Sequence, residues 1–143
     1  MIRLQPIDEE NWLVHLQVSE SQRRYVADKV TLLARAYAYR NSRSFAFLIC
    51  ADEIPVGIGL YHDCDELNAY DFSQLFIDER YQGQGYGLAA AALALERMKR
   101  DGKYSNVVLC YIEGNEAARQ FWEKLGFRET DRDEDEIIME RGL

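Results

Sequence analysis

The spacing of apolar and polar positions changes repeatedly along the chain, and each change predicts an element. Ile2 to Ile7 alternates apolar and polar, as a half-buried strand does. Asp8 is placed to cap a short helix over Glu9 to Leu16. Between Val26 and Tyr39, the residues Val30, Leu33, Ala34 and Tyr37 recur at helical spacing, and Asn41-Ser42 ends that run. Phe45 to Ala51 and Val56 to His62 read as strands around the turn Asp52-Glu53-Ile54-Pro55. Gly57 and Gly59 within the second strand signal a bulge or a close backbone approach. After the polar stretch Asp63 to Asn68, a third consecutive strand spans Tyr70 to Ile77. Leu88 to Lys99 is helix-forming, and Gly102 stops it. Asn106 to Ile112 is apolar almost throughout, as a central strand is. Asn115 to Leu125 predicts a short helix with Gly126 just past its end, and Arg128 to Met139 predicts two short strands around an acidic turn.

This order gives a mixed α/β domain. Three consecutive strands before the second half argue for a mainly antiparallel sheet there, not for a doubly wound fold. At 143 residues the chain is expected to form one domain. No window reaches the roughly 18 apolar residues of a membrane span, and the N-terminus lacks the form of a signal peptide. A cytoplasmic location is therefore expected, with no membrane partner. Cys50, Cys64 and Cys110 have no paired spacing and read as reduced thiols, and no metal is expected. Acidic residues outnumber basic ones, giving a formal charge of −8. That argues against a nucleic-acid partner and is compatible with a cationic substrate.

The candidate chemistry lies between the third strand and its helix, in Arg80-Tyr81-Gln82-Gly83-Gln84-Gly85-Tyr86-Gly87. Alternating glycines leave backbone N–H groups uncovered where a helix begins, which is an anion site for a phosphate or pyrophosphate. A nucleoside-triphosphate loop would need Lys-Ser or Lys-Thr after the last glycine, and neither is present. A dinucleotide fingerprint would need glycine at 88, where this chain has Leu88, and would sit in the first βαβ unit.

The pattern Gln82-x-x-Gly85-x-Gly87 resembles the acetyl-CoA loop of the GNAT superfamily of N-acetyltransferases. Asn115 to Phe127 resembles the second motif of that superfamily, N-x-x-A-x-x-x-Y-E-K-x-G-F. Ile77 to Gly87 is similar to the loop of bacterial spermine/spermidine acetyltransferases. So are Leu16, Val18, Gln22 and Tyr25-Val26-Ala27, followed by Leu33-Ala34 and Ala36-Tyr37. The resemblance implies a mixed sheet, mostly antiparallel, with one parallel, splayed pair (Tyr70–Ile77 and Asn106–Ile112), flanked by about four helices. It implies acetyl-CoA as cosubstrate, a small-molecule primary amine as acceptor, with a polyamine as one candidate, and a homodimer. Acetylation of another amine (an amino acid, an aminoglycoside, a protein N-terminus) and non-catalytic acyl-CoA binding remain open alternatives.

On this resemblance the pyrophosphate lies on the backbone of Gln82, Gly83, Gln84, Gly85, Tyr86 and Gly87. The pantetheine arm pairs with Leu75, Phe76 and Ile77, and Asn115 contacts the cofactor besides capping its helix. An N–H near Phe76 or Ile77 would stabilise the oxyanion. Tyr25 and Tyr37 are candidate acceptor-binding residues. The family tyrosine proposed as general acid is replaced by Trp122, whose indole cannot give up a proton near neutral pH. Trp122 is then expected to orient or shield the sulfur, with Tyr111 as another possible donor. Asp71, acting directly or through water, is the expected base. His15, His62, Asp78, Glu79 and the acidic stretches Asp63-Cys64-Asp65-Glu66 and Glu129 to Glu136 read as structural or solvated.

Overall fold

A computed structural model describes residues 1–143. The strands are β1 (Ile2–Pro6), β2 (Phe45–Ala51), β3 (Ile54–Cys64), β4 (Ala69–Ile77), β5 (Asn106–Ile112), β6 (Arg128–Asp133) and β7 (Glu136–Gly142). The α-helices are α1 (Lys29–Ala38), α2 (Tyr86–Asp101) and α3 (Glu116–Lys124). All seven strands join one sheet in the order β1-β2-β3-β4-β5-β7-β6. Every pairing is antiparallel except β4 with β5, which is parallel. The expected mixed sheet with one parallel pair is therefore present.

Two expectations need correction. Glu9 to Leu16 forms turns and not a helix, so three α-helices, and not four, accompany the sheet. Asp8 does cap, with Oδ1 accepting from the N–H groups of Glu10 and Asn11, but the bonded turn is not continued. One turn without a buried apolar stripe does not sustain a helix. In α1, the helix starts at Lys29 under an Asp28 cap, and its side chain accepts from Thr31 N–H at 2.8 Å. The expected apolar stripe is also rotated: Val30 and Tyr37 are exposed, while Leu32 is fully buried. Leu33 and Ala36 pack beside it against Leu48, Ile58 and Leu60 of the sheet.

On the opposite face, α2 buries Ala90, Ala91, Ala94, Leu95 and Met98, one stripe at helical spacing. Small alanines let this helix lie close to the sheet. It ends at Gly102, whose N–H donates to Met98 O, with Lys99 and Arg100 in the last turn. Gly57 and Gly59 mark close approaches: a Cβ at 57 would meet the Phe76 carbonyl oxygen at 2.6 Å, and one at 59 the Phe47 ring at 2.4 Å. The acidic tail forms the expected hairpin, with β6 exposed along its whole length.

The parallel pair is short. β4 and β5 pair only through Tyr70 with Val107 and Asp71 with Val108, and beyond that point they separate. The two strands therefore enclose a wedge whose apex is Asp71.

Candidate active site

The wedge opens into a cleft of about 540 Å³. One wall is β4 from Phe72 to Ile77, and the other is Leu109, Cys110 and Tyr111 of β5 with Asn115, Ala118, Phe121 and Trp122 around α3. The glycine loop forms one mouth, and Val18, Ser21, Gln22, Tyr25 and Val26 from the segment before α1 form a further wall. No Asp, Glu, Lys or Arg lines it.

Gly83 and Gly85 have φ of 79° and 80°, the left-handed region that disfavours side chains. A Cβ at Gly85 would meet nothing within 4 Å, so backbone conformation and the open space beyond are what call for glycine there. At Gly87 the reason differs: a Cβ would press on the Phe121 ring at 3.2 Å. Ala89 N–H donates to Gly85 O at 3.2 Å, whereas the N–H groups from Gly83 to Leu88 donate to no protein acceptor. Consecutive unpaired donors at the start of a four-turn helix form an anion site.

Asp78 holds this loop in place. It is fully buried and accepts from Gln17 N–H (2.8 Å), Arg80 N–H (2.9 Å) and the Arg80 guanidinium (2.8 Å). Burial pushes its carboxyl up, but these bonds prevail and hold it below the usual range. Asp78 is thus a structural anchor tying the Leu16–Val18 segment to the loop, not a solvated acid.

Register decides which β4 backbone groups face the cleft. Asp78 N–H donates to Val56 O on β3, and Phe76 pairs with Ile58. Because peptide groups alternate between strand edges, Phe76 turns its N–H and C=O toward β3, as Asp78 does. Leu75 and Ile77 turn theirs toward the cleft. Of the three expected backbone partners, Phe76 is therefore excluded. Where β4 passes from Phe72 to Gln74 the register shifts, and Ser73 is the additional residue, facing α1. Its Oγ lies 3.2 Å from the Arg35 guanidinium.

Trp122 is buried against Phe72, Phe121 and Phe127, each ring edge-on to it. Asn115 Oδ1 accepts from Ala118 N–H at 3.3 Å, so this residue is an N-cap that also lines the cleft. Burial pushes the Tyr111 phenol and the Cys110 thiol up, so both stay protonated near neutral pH.

Of the expected site residues, Tyr25, Leu75, Phe76, Ile77, Gln82, Gly83, Gly85, Tyr86, Gly87, Asn115 and Trp122 meet at this cleft. Three do not line it. Gln84 turns outward and accepts from the Tyr86 hydroxyl. Tyr37 is exposed on α1 under the Arg40 guanidinium, because the helix face that carries it points to solvent. Asp71 sits at the apex, one residue inside the lining, with its side chain on the α1 face. There it faces His62, with Nε2 3.8 Å from Asp71 Oδ2, and lies within the field of Arg35. Burial pushes the Asp71 carboxyl above its usual range, against the pull of His62 and Arg35. Sequence reasoning did not foresee that Arg35, Ser73 and His62 gather around Asp71. Their meeting depends on the bulge and on cross-strand register, which no motif spells out.

Comparison with solved structures gives the same architecture. The ribosomal-protein-S18-alanine N-acetyltransferase of Escherichia coli superposes with a TM-score of 0.78 at 18% identity, covering 100% of this chain and 94% of that one. The PaiA N-acetyltransferase of Thermoplasma acidophilum, solved with coenzyme A, gives 0.74 at 17% identity over 100% and 99%. An acetyltransferase of Thermus thermophilus gives 0.71 at 22% identity over 99% and 97%. These identities establish a shared fold and no more. A search of curated proteins by sequence finds no match. The model of the Acetyltransferase (GNAT) family matches residues 4–127, most of the chain and both of its motifs. With the splayed parallel pair and the open donors of its glycine loop, this chain belongs to the GNAT family of acetyl-CoA-dependent acetyltransferases.

Proposed function

We propose that this acetyltransferase acetylates a primary amine of a small molecule, with Asp71 receiving the proton that the amine must lose. The observation that carries the reading is one continuous cleft running from the unpaired N–H groups of Gly83–Leu88 to the apex beside Asp71.

In this reading the loop donors and the α2 dipole hold the pyrophosphate of acetyl-CoA. The cleft-facing backbone of Leu75 and Ile77 pairs with the amides of the pantetheine arm. The Leu75 N–H, nearer the apex, stabilises the oxyanion formed when the amine attacks the thioester. Asp71 takes the ammonium proton through one water, which suits its place just behind Ser73. The carbon–sulfur bond then breaks, coenzyme A leaves as a thiolate, and the extra proton on the newly acylated nitrogen passes to solvent water to leave the neutral amide. Trp122 shields the sulfur and cannot protonate it; the Tyr111 phenol on the facing strand is one O–H that lines the cleft.

The uncharged lining favours an acceptor with one ammonium and a neutral remainder, such as a monoamine contacting Tyr25 and Gln22. A polyamine is the second reading. The formal charge of −8 and the likeness of Ile77 to Gly87 to the spermine/spermidine acetyltransferase loop favour it. Its further ammonium groups would then lie outside the cleft, on the acidic surface. Thiol release from acetyl-CoA with a panel of monoamines, amino acids and spermidine tests both. Release with monoamines supports the first reading, release with spermidine alone supports the second, and no release with any amine defeats both.

A further inference from the structure

His62 is 4% exposed, an unusual depth for an imidazole, and the reaction as derived above gives it no part. Its Nδ1 lies 2.8 Å from the carbonyl oxygen of Asp63. A carbonyl oxygen only accepts, so the ring proton sits on Nδ1 and the lone pair on Nε2. Nε2 points at Asp71, 3.8 Å from Oδ2. The ring cannot swing away, because Tyr39 stacks on it at 4.1 Å with planes 10° apart. His62 and Asp71 are register partners on β3 and β4, so the sheet itself fixes their separation.

At 3.8 Å the pair is too long for a hydrogen bond, and a lone pair facing a carboxylate has nothing to share. A proton arriving between them changes that, since an imidazolium beside a carboxylate is an ion pair. The remaining charged and titratable groups around the pair are few. From α1 comes Arg35, and just past its end the ring of Tyr39; from β5 comes the Cys110 thiol, with Glu136 of β7 beyond it. Arg35 favours ionised Asp71, and the neutral Cys110 offers no competing charge.

We propose that His62 is the proton store behind Asp71. The acceptor ammonium gives its proton, through one water, to the Asp71 carboxylate, and the freed nitrogen lone pair attacks the thioester carbon. Asp71 passes the proton to His62 Nε2, leaving an imidazolium–carboxylate pair that releases it to water after coenzyme A departs. His62 touches neither substrate, so it is a positioning residue that acts through Asp71. The inference rests on the reading of Asp71 as the proton acceptor.

The chain has only two histidines, His15 and His62, so imidazole NMR of the whole protein is readily assigned with a His15→Gln variant. The neutral His62 ring is expected as the Nδ1–H tautomer, with signals that move when Asp71→Asn is introduced. In His62→Gln, kcat with the acceptor amine should fall about tenfold at pH 7, less than the roughly 100-fold or more expected for loss of the base itself, because His62 acts only through Asp71. The acid limb of its pH profile should shift while the KM for acetyl-CoA stays constant. The double variant should lose no more than Asp71→Asn alone. An Nε2–H tautomer, or a His62→Gln profile that parallels the wild type across pH 6–9, would overturn the store while leaving Asp71 as base. Loss of all transfer in the wild type would instead remove the reading beneath it. The tautomer measurement stands even where His62→Gln fails to fold.

Discussion

The two ends of the β4–β5 pair are built from similar side chains and finished in opposite ways. At the closed end, Arg43 makes paired hydrogen bonds to both Asp63 and Asp101, and Lys103 adds a third bond to Asp63. The Tyr70 hydroxyl donates to Asp101 at 2.5 Å and accepts from Lys103 N–H at 2.9 Å. Every polar group there is satisfied by protein. At the open end, the loop donors of Gly83–Leu88 and the cleft-facing edge of Leu75 have no such partners, the Ile77 carbonyl accepts only from the Gln82 side-chain amide at 3.2 Å, and Asp71 Oδ2 lies 3.8 Å from His62 Nε2. The difference shows most clearly in two aspartates. Burial pushes the Asp63 carboxyl up, yet bonds from Arg43 and Lys103 bring it below its ordinary range. Burial also pushes Asp71 up, and the weaker pull of His62 and Arg35 leaves it raised. One acid stabilises the fold, and the other keeps its raised pKa at the expense of stability.

Removing the carboxylate at the open end should have the largest effect. Asp71→Asn should lower kcat about 100-fold at pH 7, the lower range for loss of a general base. The KM for acetyl-CoA should not change. A carboxyl with a raised folded pKa costs stability once pH exceeds its unfolded value, so this variant should also melt no lower than the wild type. Unchanged kcat/KM across pH 6–9 would remove Asp71 from the mechanism.

The closed end should show the converse. Arg43→Ala leaves the buried Asp63 with Lys103 alone and should destabilise by about 2 kcal/mol, read from chemical denaturation, with kcat preserved. Asp63 and Asp101 have lowered folded pKa values, so their contribution is present above the ordinary carboxylate value of about 4. It is lost as pH falls below that value. The acid sensitivity of wild-type stability should therefore weaken in Arg43→Ala.

Gly85→Val places a side chain at φ 80°, a strain of about 1–2 kcal/mol, in the space over the loop donors. The KM for acetyl-CoA should rise at least about tenfold, and steady-state kinetics would show it. Trp122→Tyr should give the smallest change. If the absent acid slows thiolate departure, kcat rises a few-fold; an unchanged kcat would mean that thiolate leaves unaided.

Sequence patterns carried most of the fold because strands such as Asn106–Ile112, and stops such as Gly102, are written in local chemistry. The glycine loop was equally legible, since it announces itself through backbone conformation. Three things were not. Glu9–Leu16 had a cap but, apart from Leu16 at its end, no buried stripe to sustain a helix. The buried stripe of α1 could be placed only once Leu32 had a sheet to pack on. The surroundings of Asp71 depend on cross-strand register, where Asp71 meets His62 and the bulge at Ser73 meets Arg35. Such meetings leave no spacing to read.

Calorimetric titration of acetyl-CoA into the wild type and Gly85→Val, paired with thiol release over the amine panel, tests the account most directly. It predicts saturable binding that Gly85→Val weakens, and thiol release that requires both an amine and Asp71. Binding that is unaffected by Gly85→Val, or the absence of amine-dependent release from a wild type that binds acetyl-CoA, would contradict it.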